Sequence, residues 1–143
     1  MISIVLKKWN WIIKGNIGNP KTDNPIEEIW AIISAKIQGV TADQFFGFDP
    51  HSKQGYSTRP LYLGIVSCYT MLNMLGYKKD KNFPKEGSFP NTFCDAKHVA
   101  HSAFCQALIS EDVRLCQKAK AIYKYKNIAT EVVPLKFIQS KNA

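Results

Sequence analysis

Arginine is nearly missing from this chain: Arg59 and Arg114 are the only two among 143 residues. Arginine forks make the bidentate contacts to phosphate and guanine, so their scarcity excludes sequence readout by that route. No apolar run approaches the ~20 residues of a membrane span. The opening MISIVLKKWNWIIKG does not read as a secretion signal, because Lys7 and Lys8 interrupt its apolar run and no small-residue cleavage site follows. A P-loop, GxGxxG, GxSxG, HExxH and an EF-hand loop are all lacking. Adjacent carboxylates are scarce. Glu27/Glu28 and Glu111/Asp112 sit where a helix start explains them, which counts against a glycosidase and against a carboxylate-metal nuclease. Repeats, low-complexity stretches and linkers are absent too, so residues 1–143 read as a single helical domain. The four cysteines follow no disulfide framework and are expected as free thiols in a reducing, cytoplasmic setting.

What the chain does have is material for a core and an excess of positive charge. Seventeen aromatic residues and a 45% hydrophobic content provide apolar surface to bury. The net charge of +8 favours an acidic macromolecular partner, either nucleic acid or an acidic protein.

Residues 2–14 fit an amphipathic helix, with Ile2, Val5, Leu6, Trp9, Ile12 and Ile13 on one face. A strand through residues 2–6 competes with it, and as a helix the segment has the composition of one that touches a membrane surface. Asn24 caps a second helix, with Pro25 in its first turn and Ile26, Ile29, Trp30, Ile33 and Ile37 inward. Thr41 and Gln44 form a capping box for a short helix carrying Phe45 and Phe46. After a polar loop, residues 60–75 predict a helix with Leu61, Ile65, Cys68, Leu72 and Leu75 on one stripe and Leu63, Val66 and Met74 opposite. Such a helix is expected to be central and buried nearly all round. Residues 77–91, with four lysines and two prolines, read as a loop. Asn91 or Thr92 caps a helix from about 93 to 109, and Ser110 caps another reaching about Lys126. Residues 132–138 read as extended, with Pro134 fit only for an edge strand. The resulting fold expectation is an all-α bundle of about five helices around residues 60–75. The alternative is an α+β fold in which residues 2–6 and 132–138 pair as a small two-stranded sheet.

The run CDAKHVAHSAFC places Cys94, His98, His101 and Cys105 at i, i+4, i+7 and i+11, within about 60° of one helix face. Cys94 with His98, or His101 with Cys105, offers two ligands to a zinc ion, with His51 or Cys68 to complete the set. A rise of about 16 Å keeps all four from surrounding one ion. Cys94 with His98 also suits thiol catalysis, the helix start lowering the thiol pKa and the histidine acting as base. Burial of the stripe in the core is the competing explanation.

Lys78, Lys79, Lys81 and Lys85 in the 77–91 loop, with Arg114, Lys118, Lys120 and Lys124 on the following helix, are the candidate partner-binding residues. The last four are expected opposite Leu115, Ala119 and Ile122, and Tyr77, Tyr123 and Tyr125 are available to stack on bases. The leading expectation is therefore a binding protein for an acidic macromolecule, without catalysis or a cofactor. The alternative is a small Cys/His hydrolase or zinc-binding effector centred on Cys94, His98 and His101.

Overall fold

Proline with two acidic residues behind it starts the first helix, and a glycine at positive φ stops the second. Helix α1 (Pro25–Ser34) has Pro25 in its first turn, Glu27 and Glu28 at the positive end of its dipole, and Ile26, Ile29 and Ile33 buried. Asn24 stands at the cap position but makes no side-chain cap bond. Helix α2 (Ala42–Phe46) carries the expected capping box: the Gln44 amide donates to Thr41 Oγ1 at 3.2 Å and the Thr41 amide to Gln44 Oε1 at 3.0 Å. It ends on Gly47, whose φ of 92° suits glycine. The computed structural model describes residues 17, 19–49, 59–81, 83, 87 and 89–141. Residues 2–14, His51 and Lys85 lie outside the described residues, and so do the expectations placed on them.

Helix α3 (Leu61–Met74) is the centre of the core, packing on α2, on α4 (Phe89–Ser102) and on α5 (Val113–Tyr125). It is not buried all round. Ile65, Cys68, Tyr69, Leu72 and Asn73 are fully enclosed, while Leu63 and Met74 on the other side face solvent. Gly64 is there for space: a Cβ on it would stand 2.4 Å from Phe48 Cδ1. Ala96, Val99 and Ala100 make the inner face of α4.

The all-α expectation needs correcting in the second half of the chain. The helix expected to reach Ile109 stops at Ser102, and Ala107–Ser110 forms strand β1. Strand β2 (Glu131–Pro134) runs parallel to it, Ala107 opposite Glu131 and Ser110 opposite Pro134. The chain is thus mostly helical with one small parallel sheet. Residues 131–134 pair with residues 107–110; residues 2–6, the partner in the α+β alternative, lie outside the described residues. Parallel strands need a crossover, and α5 supplies it. The break after Ser102 is a long-range effect. The Thr130 hydroxyl, from the residue before β2, lies 3.1, 3.2 and 2.8 Å from the carbonyl oxygens of Ser102, Ala103 and Cys105. Its single hydrogen goes to one of these carbonyls at a time, among acceptors left open where α4 ends. Pro134 ends β2, and Leu135–Lys141 forms a final helix, α6, where an extended tail was expected.

Gly64→Ala should lower stability. Overpacking of this kind costs about 1–3 kcal/mol, against the roughly 1 kcal/mol that replacing a helical glycine returns. The midpoint of urea unfolding should fall with an unchanged slope; a midpoint at or above that of the parent protein would show that Phe48 does not fill this space.

Candidate functional site

One buried cation ties three helices to the turn after α3. Lys118, on α5, is fully buried. Its Nζ donates to Asp80 Oδ1 at 2.7 Å and to Asn73 Oδ1 at 2.8 Å, and lies 4.4 Å from the centre of the Tyr69 ring. Asn73, near the end of α3, donates in turn from Nδ2 to Asp80 Oδ2 at 3.1 Å and accepts the Asp80 amide at 3.1 Å. The Thr92 hydroxyl, on α4, donates to Asp80 Oδ2 at 3.3 Å. Lys118 was expected on a solvated face opposite Leu115, Ala119 and Ile122, as part of a partner-binding surface. It comes three residues after Leu115 and four before Ile122, so helical geometry puts it on their stripe, and it is not available to a partner.

Two more carboxylates stand beside this pair. Asp95 projects from α4, and Asp112 is the N-cap of α5, accepting from the amides of Arg114 and Leu115 at 2.9 and 3.0 Å. One oxygen each from Asp80, Asp95 and Asp112 lies within 4.8 Å of the others. They open onto a cleft of about 480 Å³ that Lys81, Thr92, Glu111 and Arg114 also line. Asp112 is the second residue beyond the carboxyl end of β1, the side on which parallel sheets collect ligands.

The electrostatics are unbalanced. Burial, and then the charges of Asp80 and Asp112, hold the Asp95 carboxyl above the ordinary carboxylate range. Among the described residues no hydrogen bond reaches it. Burial pulls the Lys118 ammonium below the usual lysine range, with Asp80 opposing. Burial, then Asp80, Asp95 and Asp112, push the Tyr69 phenol far up, so it stays a neutral hydroxyl; that hydroxyl is buried without a partner.

The Cys/His stripe is real but faces the other way from the burial reading. Cys94, His98, His101 and Cys105 are all exposed, while Ala96, Val99 and Ala100 between them are buried. Helix α4 begins at Phe89, so Cys94 is in its second turn and not at its start. His101 Nε2 sits 3.3 Å from the Tyr62 hydroxyl. His98 and His101 border a hollow of about 210 Å³ with Leu108 and Leu115. Among the described residues no histidine or cysteine belongs to a group of three metal-ligating side chains, and Cys68, the fourth ligand considered, is buried in the core. The tyrosines expected to stack on bases are structural: Tyr77 and Tyr123 are buried, and Tyr125 donates to Asp43 Oδ1 at 2.6 Å. Lys79, Lys81, Lys120 and Lys124 are exposed, and Lys78 and Arg114 are half-buried.

Sequence reasoning missed the aspartate trio because its members are 15 and 17 residues apart and each had a local explanation. Asp112 reads as a first-turn acid behind an expected Ser110 cap, where the structure makes Asp112 itself the cap, and Asp80 reads as one charge in a lysine-rich loop. The signal that was there is Lys118 on an apolar stripe, which demands a buried anion. No protein-family model matches the chain, and no curated protein or solved structure is significantly similar to it.

Two variants probe this cluster. The raised Asp95 pKa means the folded state holds that proton more tightly than the unfolded one, so it favours folding at low pH and that advantage is lost as pH rises from the ordinary carboxylate range through the raised value. Asp95→Asn should therefore flatten that decline and raise the thermal midpoint at neutral pH in EDTA; an unchanged or lower midpoint would refute the repulsion. Lys118→Met strands Asp80 beside two other anions. Breaking a buried pair costs about 3–5 kcal/mol, and the part of Asp80 that water still reaches places the loss at the lower end. Adding Asp80→Asn should recover part of it in the same urea titration, and no recovery would mean that packing around Lys118, not its charge, was lost.

Proposed function

We propose that this protein hydrolyses nucleic-acid phosphodiesters with a divalent cation held at Asp80, Asp95 and Asp112. The observation that carries the reading is the convergence of these carboxylates, from three separate segments, to within 4.8 Å. The donor set fits such an ion. All-oxygen ligands suit magnesium, manganese or calcium and not the softer metals. Asp80, Asp95, Glu111 and Asp112 outnumber Lys81 and Arg114 in the lining of the cleft, and Lys118 behind it offsets one more, so a net negative charge remains for a divalent cation to offset. When bound, such a cation would polarise a water for attack and place positive charge at the phosphoryl oxygens.

The protein's own residues hold and approach. Asp80 is fixed by Asn73, Thr92 and Lys118, and Asp112 by the two amides it caps. Lys81 and Arg114 line the same cleft and offer positive charge to a phosphate. The net charge of +8 raises the local concentration of a polyanion around the cleft. A second reading keeps the acidic partner but omits catalysis; the exposure of Lys79, Lys81, Lys120 and Lys124 favours it equally well. The carboxylate trio is what moves the balance towards hydrolysis, since a surface built only to attract phosphate gains nothing from three converging anions.

Incubation with labelled single- and double-stranded DNA and RNA separates these readings. Cleavage should be absent in EDTA, appear with manganese or magnesium, and vanish in Asp95→Asn and Asp112→Asn. Asparagine caps a helix as well as aspartate does, so loss in Asp112→Asn is not a folding effect. Cleavage that persists in EDTA, or full activity in both variants, would overturn the proposal; salt-sensitive binding with no cleavage under any metal would leave the binding reading in its place.

A further inference from the structure

The carboxylate cleft has a basic neighbour on the same two elements. A second cleft, of about 280 Å³, is lined by Lys21, Tyr77, Lys78, Gln117, Lys120 and Asp23, among others. The turn after α3 contributes Tyr77 and Lys78 to it and Asp80 and Lys81 to the carboxylate cleft. Helix α5 likewise contributes Arg114 to one and Gln117, Lys120 and Ala121 to the other. Arg114, Gln117 and Ala121 follow at three- and four-residue spacing, so both clefts lie along one face of α5. From Arg114 to Lys120 the rise is about 9 Å.

The second cleft is held in place. Lys78 has a φ of 45°, and its amide donates to Asn19 Oδ1 at 3.1 Å, tying the turn to the segment that carries Lys21. Non-glycine residues adopt that conformation where the surrounding structure requires it. Three ammonium groups face one carboxylate, Asp23, so the cleft carries net positive charge beside a cleft that carries net negative charge. A cation site next to an anion site, strung along one helix, suits a chain of phosphates whose reacting link sits at the carboxylates and whose links a few nucleotides away sit at the lysines.

We infer that Lys21, Lys78 and Lys120 form a subsite for the backbone of a single nucleic-acid strand, a few nucleotides from the position at the carboxylates. This rests on the proposed hydrolysis only for its direction of approach; the subsite itself is a matter of phosphate binding. Lysine suits it, because it grips phosphate as a point charge without reading bases.

The probe is a fluorescein-labelled single-stranded oligonucleotide of mixed sequence, titrated with the full chain in EDTA at several salt concentrations. Each phosphate neutralised on a single strand contributes about 0.7 to the slope of log K against log salt. The triple variant Lys21→Gln/Lys78→Gln/Lys120→Gln should lower the magnitude of that slope by about 2. A control with the same loss of net charge, Lys97→Gln/Lys136→Gln/Lys141→Gln, should keep it, and thermal melts should find both variants folded. An unchanged slope in the first variant, or an equal loss in both, overturns the subsite. A reduced slope in the first variant alone supports it, even where the parent protein cleaves nothing with manganese and the hydrolysis reading has failed. Absence of salt-dependent binding by the parent protein overturns the subsite and removes the nucleic-acid partner from the proposed function.

Discussion

A lysine ammonium with no access to water organises the second half of this molecule. Removing such an ion from solvent costs several kcal/mol even after the protein relaxes. That cost is met only when its donors are filled and a counter-charge is fixed beside it. Lys118 obtains both from Asp80 and Asn73, and the ring of Tyr69 lies against it. The requirement propagates outwards. Asp80 has to be in the turn immediately after α3, Asn73 has to be in the last turn of α3, and Thr92 has to be in the first turn of α4. The mutual arrangement of α3, α4 and α5 follows from satisfying one charge.

The same arrangement creates the tension that makes the cleft chemically interesting. Anions outnumber cations around the cleft, and among the described residues no hydrogen-bond donor reaches the Asp95 carboxyl. Its burial and its neighbours disfavour the charge that a neutral solution would otherwise give it. Perturbed carboxylates of this kind cluster at functional sites and also occur in structural charge networks. The basic surface around it has a different logic: it acts at a distance, through the summed field, and asks little of any one lysine.

The stripe of Cys94, His98, His101 and Cys105 shows how helical spacing can be right about a face and silent about its direction. Cys94, His98 and His101 do share one side of α4, but that side looks to solvent, Cys105 lies beyond the helix end at Ser102, and the small residues Ala96 and Ala100 are the ones that let α4 approach its neighbours. Nothing local distinguishes the two orientations, since cysteine is at home in a core and histidine on a surface. The three tyrosines pose the mirror case. They look like stacking platforms in a basic protein, but Tyr77 is buried and the other two serve as long-range struts, Tyr123 to the Val99 carbonyl at 2.6 Å and Tyr125 to Asp43.

Local chemistry alone determined the early helices: Pro25 with Glu27 and Glu28, the Thr41–Gln44 box, the glycine after Phe46 and the apolar stripe of residues 61–74 act over a few residues, and their outcome is legible from the order of side chains. The +8 charge and the lack of a long apolar run were equally plain, and among the described residues no helix is long and apolar enough to cross a membrane. Tertiary structure decided the rest. Ending α4 at Ser102 depends on a hydroxyl from Thr130, 28 residues away, and the parallel pairing of residues 107–110 with 131–134 depends on α5 folding back between them. The aspartate trio exists only once three segments meet, because a carboxylate at 80, one at 95 and one at 112 carry no shared pattern along the chain. Lys118 fixes one of them, Asp80: its place on an apolar stripe was written in the sequence, but its partner, 38 residues distant, was for the folded chain to supply.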